Sequence, residues 1–215
     1  MDPKHLLMEP PPTVFVVDDD ASTRGAITFL LESTGRRVET FDSGEAFLEA
    51  CTPARSGCLV LDLRLPGISG LALQEELGRR GIGLPVIMMT GHGAVAHAVA
   101  ALQRGAIDFL EKPVDDTALL ERIDRAVTLD AERRRHDAVR RACAARIDRL
   151  SRREREVLAL VVAGKANKVM AWELGISQKT VETHRARMMS KLQVSSVADL
   201  VRLEWLALHD PLGRR

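Results

Sequence analysis

Residues 57–70 read Gly57-Cys58-Leu59-Val60-Leu61-Asp62-Leu63-Arg64-Leu65-Pro66-Gly67-Ile68-Ser69-Gly70. The apolar run Cys58 to Leu61 is the length of a strand buried on both faces. It stops at a single carboxylate, Asp62. Pro66-Gly67 then forces a loop, and Ser69 is placed to cap a following helix. Asp62 is therefore expected at the carboxyl end of a central strand, where open α/β sheets bind ligands. Alone, such an Asp would read as a solvated strand end.

Asp62 does not stand alone. Upstream, Val14 to Val17 is a second buried strand, followed at once by Asp18-Asp19-Asp20. Adjacent carboxylates repel, so at the end of a buried strand they suit a hard cation such as Mg²⁺. A helix is expected over Ala21–Leu31, a strand over Val38–Phe41, and a helix capped by Ser43 and carrying Phe47 and Leu48. After Asp62 come a helix with Leu71, Leu73 and Leu77, a strand Val86–Met89 ending in Thr90-Gly91-His92-Gly93, and an alanine-rich helix Ala94–Gln103 stopped by Gly105. A fifth strand, Ala106–Leu110, leads to Lys112-Pro113, and Asp115 or Asp116 opens a last helix through Leu119, Leu120, Ile123 and Val127. Strands and helices alternate five times, which argues a parallel sheet covered on both faces. Asp18, Asp19, Asp62, Thr90 and Lys112 all follow strands at one edge. They supply a metal site, an anionic nucleophile, a hydroxyl and a cation, the set that moving a phosphoryl group onto a carboxylate requires. Asp62 is accordingly read as a phosphorylation switch.

The chain of 215 residues is 46% hydrophobic, enough for one large or two small cores. No apolar run approaches the ~20 residues of a membrane span, and the proline-rich residues 1–12 lack a signal-peptide core. Cys51, Cys58 and Cys143 are odd in number and unpaired in spacing, as in a reduced, cytoplasmic chain. The net charge of +1 hides an asymmetry. Residues 1–130 carry 12 Lys/Arg against 20 Asp/Glu, and residues 131–215 carry 19 against 10. A basic half of this kind suggests contact with nucleic acid.

Residues 13–130 resemble the receiver domain of two-component response regulators, close to the FixJ type. Val-Asp-Asp, Leu-Asp-Leu-Arg-Leu-Pro-Gly, Thr-Gly-His-Gly and Phe-Leu-Glu-Lys-Pro occur in order and at receiver spacing. The resemblance implies a flavodoxin-like, five-stranded parallel-sheet fold. It implies that Asp62 accepts phosphate from a sensor histidine kinase, and that Asp19, Asp62 and the backbone carbonyl of Arg64 hold Mg²⁺ with help from Asp18. Thr90 and Lys112 then read the phosphoryl group, Phe109 is the aromatic switch, and the Lys112–Pro113 bond is cis.

Residues 131–147 contain no Pro or Gly and are rich in Ala and Arg, so a charged linker helix is expected, open to continuity with the last receiver helix. Solvation accounts for its arginines at least as well as DNA contact. Residues 148–215 carry signals for four short helices: a capping box Ser151–Glu154, a cap at Asn167, a turn Leu174-Gly175-Ile176-Ser177, and a capping box Ser196–Asp199. Two helices joined by a short Gly-containing turn make a helix-turn-helix. On the third helix Val181, Met188 and Leu192 face inward, while Lys179, Glu182, Thr183, Ala186 and Arg187 share the opposite stripe. The segment resembles the LuxR-type DNA-binding domain in Leu-Ser-Arg-Arg-Glu-Arg-Glu-Val-Leu, Leu-Gly-Ile-Ser and Thr-Val-Glu-Thr-His-Arg. By that resemblance Lys179, Glu182, Thr183 and Ala186 read bases, while Lys168, Thr180, His184, Arg187 and Lys191 contact phosphates. A structural role for His184 is an equal reading.

Together the resemblances imply a phosphorylation-activated transcription regulator, with promoter DNA and RNA polymerase as partners and a homodimer as the phosphorylated form. The helix Ala94–Gln103 is small-sided and apolar at Val95, Ala96, Val99 and Ala100, which fits core as well; if part of it is exposed, the resemblance makes it the expected dimer face. An Asp-nucleophile phosphatase is the first alternative. It would resemble an Asp-x-Asp pattern, but Arg64 stands two residues after Asp62, so only slow loss of the chain's own phosphate is expected. The second is a ligand-sensing LuxR-type regulator, whose acidic half would need a roomy apolar pocket.

Overall fold

The computed structural model describes residues 11–91, 102–103 and 105–209. The chain forms two compact units, Met1–Glu132 and Arg133–Arg215.

In the first unit, strands β1 (Thr13–Val17), β2 (Arg37–Phe41), β3 (Gly57–Asp62), β4 (Val86–Thr90) and β5 (Asp108–Glu111) form one parallel sheet in the order β2-β1-β3-β4-β5. The strand bearing Asp62 is thus the central one. Helices α1 (Ala21–Ser33), α2 (Gly44–Ala50) and α3 (Gly70–Arg79) connect the first four strands. Strand periodicity divides the core in two. Phe15, Val17, Leu59, Leu61 and Met88 pack with Phe47, Leu48, Leu73 and Leu77 of α2 and α3. Val14, Val16, Val60, Ile87 and Met89 pack on the other face with Ile27 and Leu31 of α1 and with Leu119 and Ile123 of α4 (Asp116–Asp148). Both faces are covered, which is why these strands read as continuous apolar runs.

Ser43 and Ser69 cap α2 and α3 through the amides of Ala46 and Ala72. Asp115 opens α4 by accepting from the amide of Ala118 at 2.8 Å. The fifth strand starts at Asp108 rather than Ala106. Ahead of it, Gly105 turns the chain with φ +92°, and the Ile107 amide donates to the carbonyl of Val86 at 2.9 Å. The expected helix Ala94–Gln103 lies outside the described residues except at Leu102 and Gln103, which are helical.

Helix α4 continues without a break for 33 residues, through the segment read as a linker. Asp130, buried on this helix, accepts from the amide of Gly57 at 2.9 Å and ties it to the start of β3. In the second unit Cys143 and Leu150 join a core with Val157, Met170, Val181, Met188, Leu192, Leu200 and Leu203, contributed by α5 (Arg152–Val162), α6 (Asn167–Leu174), α7 (Gln178–Leu192) and α8 (Val197–Leu208). Capping boxes start α5 at Ser151 and α8 at Ser196, and Ser177 caps α7. Gly175 closes α6 with φ 66°, the left-handed turn that glycine adopts without a Cβ penalty. The expected cap at Asn167 is a correction. The N-cap is Ala166 with no side-chain cap, and Asn167 is the first helical residue, its side-chain carbonyl engaged by Arg185.

Candidate functional site

Parallel register brings the polar residues to one edge. Val17 pairs with Leu61, so Asp18 follows β1 beside Asp62 on β3. Thr90 ends β4, and the amide of Lys112, just past β5, donates to the Thr90 carbonyl at 2.8 Å. The three carboxylates of Asp18, Asp19 and Asp62 each place an oxygen within 4.8 Å of the others. Asp18 is fully buried, Asp62 is 6% exposed and Asp19 faces solvent. The run of three adjacent carboxylates is thus divided. Asp20 turns away and caps α1, accepting from the Ser22 amide at 3.0 Å and the Thr23 hydroxyl at 2.7 Å.

Lys112 Nζ donates to Asp62 Oδ2 at 2.5 Å and to Asp18 Oδ2 at 2.7 Å. Burial alone would pull its pKa down, but the hydrogen bonds and charges of Asp18 and Asp62 outweigh it and hold the ammonium above the ordinary lysine value. Among the described residues, Lys112 is the cation hydrogen-bonded to two of the three clustered carboxylates, while Arg24 donates to the backbone carbonyl of Asp18 at 2.8 Å, so the carboxylates outnumber the cations beside them. An all-oxygen donor set with that excess fits a hard divalent cation.

The loop after Asp62 is held close. The Arg64 amide donates to Asp62 Oδ1 at 3.1 Å, and the Ile68 amide donates to Glu45 of α2 at 2.9 Å. A Cβ on Gly70 would lie 2.4 Å from the Asp62 carbonyl oxygen, so only glycine fits where α3 starts. The Thr90 hydroxyl donates to the Gly91 carbonyl at 2.9 Å. Phe109 is 37% exposed. Lys112–Pro113 is cis.

In the helical unit, Lys168, Lys179, Glu182, Thr183, Ala186 and Arg187 are exposed, and Thr180 and His184 are half-buried. The Thr183 hydroxyl donates back to the Lys179 carbonyl at 2.9 Å, so its donor is engaged within α7. The Thr180 hydroxyl shares a 2.8 Å hydrogen bond with Ser177. Lys191 has a structural partner that its spacing did not reveal. Its ammonium donates at 2.7 Å to Glu154, which is 3% exposed and also accepts from the Ser151 amide. An ammonium carries three donors, so two besides the one given to Glu154 belong to Lys191. Burial raises the Glu154 pKa, but Lys191 and Ser151 outweigh it and hold the carboxyl below its ordinary value.

An acid cluster that a lysine bridges at the carboxyl edge of a five-stranded parallel sheet, in one chain with a basic helix-turn-helix unit, defines the class of the response regulators. Two family descriptions match accordingly: the response regulator receiver domain over residues 14–124, and bacterial regulatory proteins of the luxR family over residues 148–204. The chain belongs to the FixJ-like response regulators, in which a receiver is joined to a LuxR-type DNA-binding domain. It is 48% identical over 194 residues to the transcriptional regulatory protein FixJ of Azorhizobium caulinodans, covering 90% of this chain and 92% of that one. Among solved structures it is similar to the response regulator StyR, with a TM-score of 0.80 and 46% identity over 91% of this chain and 98% of that one. The full-length FixJ from B. japonicum gives 0.56 and 41% over 91% and 97%. The function that follows is phosphorylation-dependent regulation of transcription. Among the described residues, no helix is long and apolar enough to cross a membrane.

Proposed function

We propose that Asp62 is the phosphoacceptor and that the chain binds promoter DNA as a dimer once Asp62 is phosphorylated, acting in the cytoplasm with RNA polymerase as the downstream partner. The observation that carries this is the placement of Asp62: nearly buried, at the end of the central strand, with Lys112 on one carboxylate oxygen and the Arg64 amide on the other. Asp18, Asp19 and Asp62, joined by the Arg64 carbonyl, would hold Mg²⁺, which when bound offsets charge between the phosphoryl donor and the carboxylate. A carboxylate oxygen of Asp62 attacks the phosphorus of the kinase's phosphohistidine, the P–N bond breaks and the imidazole leaves. Lys112 moves its hydrogen bond to a phosphoryl oxygen, and the Thr90 hydroxyl leaves the Gly91 carbonyl for another. Phe109 then turns inward toward the space that Thr90 vacates. No turnover of outside substrates follows, only slow hydrolysis of the chain's own acyl phosphate.

In the helical unit, Lys179, Glu182, Thr183 and Ala186 read bases in the major groove, and Lys168, Thr180, His184, Arg187 and Lys191 position the backbone. Val197, Val201, Trp205 and Leu208, spaced by four, four and three residues, give α8 an exposed apolar stripe that supports pairing of two copies. The test is labelling by acetyl phosphate in the presence of Mg²⁺. The wild type should label at one aspartate and Asp62→Asn should not; normal labelling of the variant would remove Asp62 from this role.

A further inference from the structure

The inward stripe of α7 contains an anomaly. Val181, Met188 and Leu192 are fully buried, and the position that completes their spacing of four, three and four is Arg185. A charged side chain on an otherwise apolar seam has to be held by a partner. Arg185 is half-buried, and its Nη1 donates to Asn167 Oδ1 at 2.5 Å. Asn167 is the first residue of α6, the other helix of the helix-turn-helix, and Ala166 before it offers no side-chain cap. Arg185 therefore spans from the middle of one helix to the start of the other, 18 positions away in sequence.

We propose that Arg185 is a positioning residue for DNA reading, setting through Asn167 the depth and rotation at which α7 presents Lys179, Glu182, Thr183 and Ala186. This rests on the reading of α7 as the recognition helix. Apolar packing holds α7 against its neighbours but is non-directional, so it defines the angle of a single side chain less narrowly than a hydrogen bond does. A directional hydrogen bond from a planar guanidinium has a narrow angular range. Arg185 and Glu182 are three residues apart on one helix, so any rotation that loosens the Arg185–Asn167 bond moves the reading stripe by the same angle. Base contacts tolerate little of this, since side chains must meet base edges within about 0.5 Å.

The test uses the full chain, wild type and variants alike phosphorylated with acetyl phosphate in the presence of Mg²⁺. A preferred duplex is selected from a random library by the wild type, and affinities are measured on it and on a scrambled duplex of equal length. Arg185→Met, which fills the seam without the bond, and Asn167→Ala should each lower the ratio of the two affinities by about tenfold, the worth of one good base contact. Affinity for the scrambled duplex and its salt slope should stay unchanged. The double variant should be no worse than the worse single, and Asn167→Asp, which keeps an acceptor, should retain the ratio. Should Arg185→Met not fold, Asn167→Ala decides alone. An unchanged ratio with only a lower melting temperature would overturn the proposal and make the pair purely structural. A salt slope reduced by about 0.9 in Arg185→Met would overturn it in favour of a direct phosphate contact. If Lys179→Ala, Glu182→Ala and Thr183→Ala all leave the preferred sequence unchanged, α7 is not the reading helix, and the proposal falls with that premise.

Discussion

Lys112 Nζ lies 2.5 Å from Asp62 Oδ2 and bridges it to the buried Asp18. The lysine holds together two carboxylates that would otherwise repel across the sheet edge. Lys112→Ala should therefore destabilise the receiver in metal-free buffer by roughly 2–3 kcal/mol. That is below the 3–5 kcal/mol typical of breaking a fully buried pair, because a quarter of the lysine side chain is exposed. Excess Mg²⁺ should restore part of the loss by binding the native state alone. Urea unfolding with and without Mg²⁺ measures both, and a variant as stable as wild type without the metal would contradict the clamp.

Asp19 is the exposed member of the acid cluster, so removing it disturbs no buried pairing. Asp19→Ala should leave folding intact and weaken Mg²⁺ binding by more than about tenfold, since even an outer-shell partner is worth about 10–100-fold. Calorimetric titration reads this directly. Equal affinity in the two proteins would place the cation elsewhere.

Glu182→Ala should change preference at one base position, a difference of about 1–3 kcal/mol, while leaving binding to unrelated duplexes intact. Lys168→Ala should weaken binding to all duplexes alike and flatten the log–log salt dependence by about 0.9. Selection from a random library separates the two outcomes. An identical preferred sequence for wild type and Glu182→Ala would exclude Glu182 as a reader.

The Glu154–Lys191 pair gives the helical unit a defined acid response. The folded-state pKa of Glu154 is depressed, so the unfolded chain binds the proton more readily. Its contribution is fully present above the unfolded value of about 4.3 and is lost as pH falls through the lower folded value. Lys191→Met should cost about 1–3 kcal/mol near neutral pH and flatten the loss of stability below about pH 4.5. Parallel stability–pH curves for the two proteins would show that the pair contributes nothing.

A phosphoryl mimic at Asp62 should convert monomer to dimer. Moving such an equilibrium from 1:99 to 99:1 takes about 5.5 kcal/mol of differential stabilisation. Sedimentation with and without beryllium fluoride tests this, and Trp205→Ala, which cuts the exposed stripe on α8, should weaken pairing on DNA without changing phosphorylation. An unchanged monomer with unchanged DNA affinity would remove dimerisation from the mechanism while leaving the chemistry of Asp62 in place.

The sequence by itself determined what depends on local pattern. Apolar runs with period-two cores, serine caps and glycine stops are written in neighbouring residues, so the alternating elements, the edge carrying Asp62 and the exposed stripe of α7 are legible in the sequence. Tertiary structure decided what depends on partners far apart in the chain. It turned Asp20 from the acid cluster to the cap of α1, because helix α1 begins beside it. It gave the Lys191 ammonium to Glu154, 37 positions away. It set Asn167 against Arg185 instead of at a helix cap, although the break in the buried spacing of α7 was a signal that Arg185 needed a partner. Propensity and periodicity act over a few residues, whereas the choice of hydrogen-bond partner for a buried charge is made only when packing removes water and leaves one acceptor within reach.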